Sequence, residues 1–232
     1  PYSPIDIFSM LNYFDSFTIV FYPMTDRISG MCIRDEENKL IAINSALSYG
    51  RQRYSAAHEL CHLFFHEDLK SIICSKDLDS GKKSPEEKEA DIFASFFLAP
   101  YEALNSFIKK KLQKQPHQLD VNDVVSIEQH YGLSRQATLW RLVNDGYLTV
   151  EATASMKKGI IQSAVRLGYD DKLYRPTPLE KQYLTLGKYI KLVEELKNKE
   201  LISNGKYEEL LLDSFRADIV FNLHSEGAES YD

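Results

Sequence analysis

The sequence predicts an α+β fold, mostly helical with one small β-sheet, and three observations predict it. The strand-like runs are short, apolar and confined to the chain before Ser45. A helix with both ends written out follows at 84–100, and helical spacing governs most of what lies beyond it. At 232 residues with 44% hydrophobic content, the chain can bury a real core, and one compact domain with a smaller appendage is the natural expectation.

Pro4 to Phe14 reads as a short helix and Thr18 to Tyr22 as a strand. Met31 to Arg34 and Lys39 to Asn44 read as a hairpin turning through the acidic Asp35-Glu36-Glu37-Asn38. Glu67 to Lys83 is rich in Lys, Asp, Ser and Gly and therefore loop-like. The stretch from Ser84 to Pro100 is a helix in which Ser84 is a good N-cap, Pro85 suits the first position and Pro100 marks the end. A further helix runs from Tyr101 to about Gln113, where Lys109, Lys110, Lys111 and Lys114 read as a solvated helix end, and Pro116 breaks it.

Val121 to Tyr131, Gly132-Leu133-Ser134 and Arg135 to Asn144 have the spacing of a helix-turn-helix. Yet Asp120 to Val150 sets Arg135 and Arg141 against Asp120, Asp123, Glu128 and Asp145, without a lysine. A DNA reader needs a basic face to neutralise phosphates, so this segment is expected to pack or to dock protein instead. Pro176 and Pro178 open what reads as a long amphipathic helix from Leu179 to about Glu200, and a second runs from about Lys206 to Phe221 after Asn204-Gly205.

The chemistry is concentrated in His58-Glu59-Leu60-Cys61-His62. Two histidines four residues apart on a helix point the same way and can hold one metal ion. Glu59, about 100° further round, can take a proton from a water the metal activates without itself being a ligand. Catalytic zinc needs a third protein ligand and an open fourth position. In the 84–100 helix, Glu87, Asp91 and Ala94 share a face, so Glu87 can reach the metal while Asp91 accepts the free ring N–H of His58. Ser84 and Glu87 also satisfy a capping box, in which Glu87 merely bonds the Ser84 amide; Glu86 and Glu89 are then the alternative ligands.

The run from Arg51-Gln52-Arg53-Tyr54 through His58-Glu59-Leu60-Cys61-His62 to His66, with Glu87-Lys88-Glu89-Ala90-Asp91-Ile92-Phe93-Ala94 and Leu98-Ala99-Pro100, resembles the ImmA/IrrE family of bacterial zinc-peptidase-like regulators over about residues 15 to 145. The resemblance implies a zincin-like peptidase core with a gluzincin-like site, after which the chain's own pattern places the helix-turn-helix-like segment and a helical C-terminal extension. The expected division is 1–115, 116–150 and 151–232. It also implies activity against a helix-turn-helix repressor, cleaved to switch on a mobile element or a stress response. In gluzincin-like folds the strand before the metal helix edges the cleft, and Ile41 to Asn44 is the candidate for an edge to which a peptide can add, an ordinary sheet strand being equally compatible. One residue departs from the family pattern: Cys61 stands where glycine usually precedes the second histidine, either as a small packing group or as a thiolate near the metal.

The expected site is therefore one Zn²⁺ held by His58, His62 and Glu87, with Glu59 as general base and Asp91 behind His58. An oxyanion donor is also needed, and His66, Tyr49, Tyr54 and Tyr101 are the candidates. With no run of eighteen apolar residues and no signal-peptide pattern, neither membrane nor export is indicated. Cys32, Cys61 and Cys74 are odd in number and widely spaced, which fits a reducing cytoplasm. The chain opens on Pro1 rather than methionine, so its natural start stays open. The expected partner is a protein substrate, a repressor or toxin-system component encoded nearby. Two other classes stay open: a regulator that acts by binding, as an anti-repressor or antitoxin does, and a helix-turn-helix DNA-binding protein.

Overall fold

A computed structural model describes residues 4–66, 71–75 and 83–223. Its sheet has five strands, β1 (Phe17–Tyr22), β2 (Ile28–Arg34), β3 (Lys39–Asn44), β4 (Ser71–Ser75) and β5 (Leu184–Gly187), in the order β4-β2-β3-β1-β5. β1 runs parallel to β3, and the other neighbours are antiparallel. α1 (Ile7–Tyr13), capped by the Asp6 side chain on the Ser9 amide, buries Ile7 and Leu11. The β2–β3 hairpin is the expected one: the Asp35 carboxylate accepts the amides of Glu37 and Asn38, and this closes the acidic turn.

α2 (Tyr49–Phe65) follows the hairpin, and every residue from Gly50 to Leu63 is buried. A helix enclosed in this way has to satisfy its polar side chains internally. Gln52 does so through the carbonyls of Ser45 and Leu47 and the Thr177 hydroxyl, and Arg53 through the carbonyls of Gly132 and Ile5. These bonds tie the metal-motif helix to both the early and the late parts of the chain. α3 (Pro85–Leu98) lies along α2, with Ala90 and Ala94 fully buried; small side chains there let the two helix axes approach closely.

α4 (Tyr101–Ser106) runs into a wider π-helical turn over Phe107–Leu112 and ends at Gln113 with φ 58°. α5 (Val121–Tyr131) carries a capping box between Asp120 and Asp123, Gly132 turns the chain at φ 66°, and α6 (Arg135–Asn144) starts at the Ser134 cap. The helix-turn-helix spacing is thus real, but both of its arginines face inward. Arg141, 1% exposed, donates to the carbonyl and hydroxyl of Ser95, pairs with Asp145 at 2.7 Å and stacks 3.7 Å over the Phe96 ring. Arg135 pairs with buried Glu128 and reaches the Met156 carbonyl and the Ser163 hydroxyl.

Four sequence expectations are corrected here. Ile41 to Asn44 is no edge, because β3 lies between β2 and β1; an apolar run buried on both faces is the mark of an interior strand. The stretch Glu67 to Lys83, read as loop, contains β4 among its described residues, and its remainder other than Lys83 lies outside them. Leu179 to Glu200 is not one helix: β5 pairs with β1, and only α9 (Lys188–Asn198) is helical over several turns. Gly187 makes that break, because its φ is +87° and a Cβ there would lie 2.3 Å from the Phe17 carbonyl oxygen. Finally, Lys206 to Phe221 divides into α10 (Asn204–Asp213) and α11 (Ala217–Val220) at Phe215, φ 62°. Two short helices without a sequence expectation, α7 (Val150–Met156) and α8 (Ile160–Arg166), connect α6 to the C-terminal part. No helix among the described residues is long and apolar enough to cross a membrane.

Candidate metal centre

The i, i+4 spacing on α2 brings His58 and His62 side by side, with their Nε2 atoms 3.1 Å apart. α3 presents Glu87 to both: Oε2 lies 3.4 Å from His58 Nε2 and Oε1 3.4 Å from His62 Nε2. Ser84 does cap α3, accepting the Glu87 amide at 3.3 Å, but the Glu87 side chain turns to the histidines rather than back to the cap. The other glutamates go elsewhere. Glu86 is held by Ser84, and Glu89 by His66 at 3.3 Å.

Asp91 stands one turn beyond Glu87 and takes His58 Nδ1 at 3.1 Å. An ionised carboxylate can only accept, so Nδ1 carries the hydrogen and Nε2 faces Glu87. The second Asp91 oxygen is bound by Lys83 Nζ at 2.7 Å, both side chains under a tenth exposed. His62 is backed in turn by His66, Nδ1 to Nδ1 at 2.7 Å. Burial alone would lower the pKa of His58, but Asp91 and Glu87 outweigh it and raise it to about 9. Burial pushes Glu87 up, and the hydrogen bonds of His58 and His62 more than reverse this, holding it well below the usual carboxylate range.

The donor geometry fits a metal. With ligand bonds of about 2.0 to 2.1 Å, a tetrahedral zinc site has edges of about 3.3 to 3.4 Å, against 3.1, 3.4 and 3.4 Å here. Within the described residues the group that could hold an ion is His58, His62, Glu87 and a fourth member, Cys74, whose donor atoms all lie within 4.8 Å of one another. Cys61, the residue that departs from the family pattern, is buried and outside this group.

Glu59 is fully buried beside the group. Its Oε2 accepts from Cys74 Sγ at 3.4 Å and its Oε1 has no hydrogen-bond partner among the described residues, while the Cys32 thiol also faces the carboxylate and steadies its charge. Burial lifts its pKa to about 7, against the opposing pull of His58. β2 makes room for it at Gly30, where a Cβ would sit 2.9 Å from Glu59 Oε1. Burial, and then the charges of Glu59 and Glu87, raise the Cys74 thiol far above its usual range.

The four oxyanion candidates fall in different places. His66 lies behind His62, on the side away from Glu87. The Tyr54 hydroxyl donates to the Asp91 carbonyl at 2.8 Å. Tyr49, near the start of α2, packs its ring 5.9 Å from that of Phe8, and Tyr101 is half exposed at the start of α4. Sequence reasoning missed Lys83, Gly30 and Cys74, all of which meet the site through folding alone. Only Cys74 carried a signal, as a residue type that binds metals.

A search of the curated proteins finds no match for this chain. The family described as Peptidase_M78, IrrE N-terminal-like domain, matches residues 16–143, which span the sheet strands β1 to β4, the histidine pair, Glu59, Glu87 and Asp91. That match covers more than half of the chain, which therefore belongs to the IrrE N-terminal-like family of metallopeptidases.

Proposed function

We propose that the protein is a zinc-dependent metallo-endopeptidase that cuts a regulatory protein partner, a helix-turn-helix repressor or toxin-system component encoded nearby, and so switches on a stress response or a mobile element. The observation that carries the reading is the convergence of His58, His62 and Glu87 at 3.1 to 3.4 Å with a buried carboxylate, Glu59, beside them. His58, His62 and Glu87 hold the ion, and Asp91 and His66 orient the two rings. When bound, zinc supplies Lewis acidity, bringing the pKa of water towards about 7 and polarising the scissile carbonyl.

Glu59 is the general base. It accepts the proton of the attacking water and delivers it to the leaving amine nitrogen, a task favoured by a pKa near neutrality. Its burial keeps the carboxylate out of bulk solvent, so the proton is passed within the site. The substrate enters as an extended strand along the outer edge of β4, which on that side has no neighbouring strand among the described residues. Cleavage takes place in the cytoplasm, a compartment in which three free cysteines are stable.

A second reading has one observation in its favour: with Cys74 the donor set numbers four, as in a structural site, so the protein could act as an anti-repressor or antitoxin by binding alone. Glu59 argues against it, because a structural site has no use for a base beside its ligands. A DNA-binding role finds less support, since Arg135 and Arg141 are both buried in the protein. The test is zinc content with and without His62→Ala, paired with incubation of each protein with the repressor encoded beside it. One zinc per chain with cleavage in wild type, and neither in His62→Ala, is the expected result. Zinc without cleavage favours the binding reading.

A further inference from the structure

Peptide hydrolysis asks for three protein ligands and a position left open for water. This site has one donor too many. We propose that Cys74 is a competing fourth ligand whose sulfur takes the open position of the metal site part of the time, so that the wild-type peptidase cleaves below its full rate until the sulfur is displaced. The proposal rests on the peptidase reading above and adds the regulation of that same site.

Distance is the first support. Cys74 Sγ lies 3.5 Å from Glu87 Oε1, and bonds of about 2.3 Å to sulfur and 2.0 Å to oxygen on one tetrahedral zinc place those atoms about 3.5 Å apart. The four donor atoms fall within 4.8 Å of each other, so the sulfur completes the tetrahedron with a movement of about an ångström. Cys61, on the metal helix itself, is outside the group.

Glu59 is the second and independent support. It is fully buried, its Oε2 is taken by the Cys74 thiol at 3.4 Å, the Cys32 thiol faces it as well, and its Oε1 has no hydrogen-bond partner among the described residues. The Cys74 thiol therefore holds the place beside the base that a reacting water needs. A carboxylate oxygen buried without a partner is costly, and water displacing the sulfur would relieve it.

β4 supplies the means of release. Among the described residues it is an edge strand paired with β2, and the ladder slips register between Ile28 and Gly30, the latter being the partner of Cys74. With a metal bound, closing would release the Sγ proton to solvent and let the Cys74 sulfur take the position otherwise open to water. Opening reverses each of these steps, and no oxidant or reductant is needed.

The test uses the full chain loaded with Co²⁺ in place of zinc, because a thiolate bound to cobalt adds a charge-transfer absorption that histidine and carboxylate ligands lack. The proposal expects that absorption in wild type and in Cys32→Ala/Cys61→Ala, where Cys74 is the only thiol. It expects the band to vanish in Cys74→Ser and Cys74→Ala, with cobalt affinity lowered about tenfold or more against a chelator and peptide cleavage by the zinc forms raised. Stoichiometric cobalt without the band in wild type overturns the proposal and leaves the peptidase reading standing. A band that survives in both Cys74 variants, or is lost from Cys32→Ala/Cys61→Ala, also overturns it. Failure of wild type to bind cobalt or zinc at all overturns the peptidase reading, and this proposal with it.

Discussion

Replacing Asp91 with alanine has two separable consequences, because its two carboxylate oxygens do different things. Oδ1 fixes the His58 ring from Nδ1 at 3.1 Å, and Oδ2 neutralises Lys83 at 2.7 Å. Loss of such a partner behind a metal-binding histidine typically costs about 10 to 100-fold in metal affinity, or about 1.4 to 2.7 kcal/mol. Lys83, whose side chain is 7% exposed, is at the same time left as an unpaired buried ammonium. Breaking a buried pair from one side costs about 3 to 5 kcal/mol, a large share of the roughly 5 to 15 kcal/mol that holds a typical domain together. Asp91→Ala is therefore expected to lower both the melting temperature and the zinc affinity. Asp91→Ala/Lys83→Met, which removes the orphaned charge, should recover most of the melting temperature and none of the affinity. Chelator competition and thermal melting measure the two effects separately. Wild-type zinc affinity in Asp91→Ala would refute the orienting role, and recovery of affinity in the double variant would move the effect from His58 to Lys83.

Gly30→Ala places a Cβ 2.9 Å from Glu59 Oε1 and 3.0 Å from the Ala42 carbonyl oxygen; displacing the base is expected to slow peptide cleavage by about 10 to 100-fold while zinc content, measured by metal analysis, stays at one per chain. His66→Ala removes the group behind His62 Nδ1 and should weaken zinc by about tenfold, which unchanged affinity in a chelator competition would contradict. Arg141→Ala leaves Asp145 and the Ser95 carbonyl without their buried partner, and denaturant unfolding should show a loss of about 3 to 5 kcal/mol; a change below about 1 kcal/mol would mean that α6 docks by its apolar contacts alone.

The convergence of His58, His62, Glu87 and Asp91 was legible because helical periodicity converts spacing into direction, and the two helices that bear them are marked by a motif in one case and by Ser84, Pro85 and Pro100 in the other. Lys83 and Gly30 were not legible, since each meets the site across a gap in sequence that no local rule spans. β4 was hidden by its flanks: Ile72, Ile73 and Cys74 are too short an apolar run to stand out within a polar stretch, and only pairing with β2 makes them a strand. β5 was overridden for a similar reason, because Leu184 to Gly187 continues the helical pattern of the residues after it until the edge of β1 captures it. The two buried arginines of α6, Arg135 and Arg141, turn into the protein, in line with the charge balance that favoured a segment packing or docking on protein.

The central claim is that Glu59 moves a proton during peptide-bond hydrolysis, and Glu59→Gln tests it most directly because amide and carboxylate have nearly the same shape. Wild type and Glu59→Gln are brought to equal zinc content, incubated with the neighbouring regulator, and the products are read by mass spectrometry as new N-termini. The account predicts defined new termini with wild type and none with Glu59→Gln, at the same zinc content and with the regulator still bound. Equal cleavage by both proteins, or an intact regulator with both while the transcriptional output persists, would contradict it.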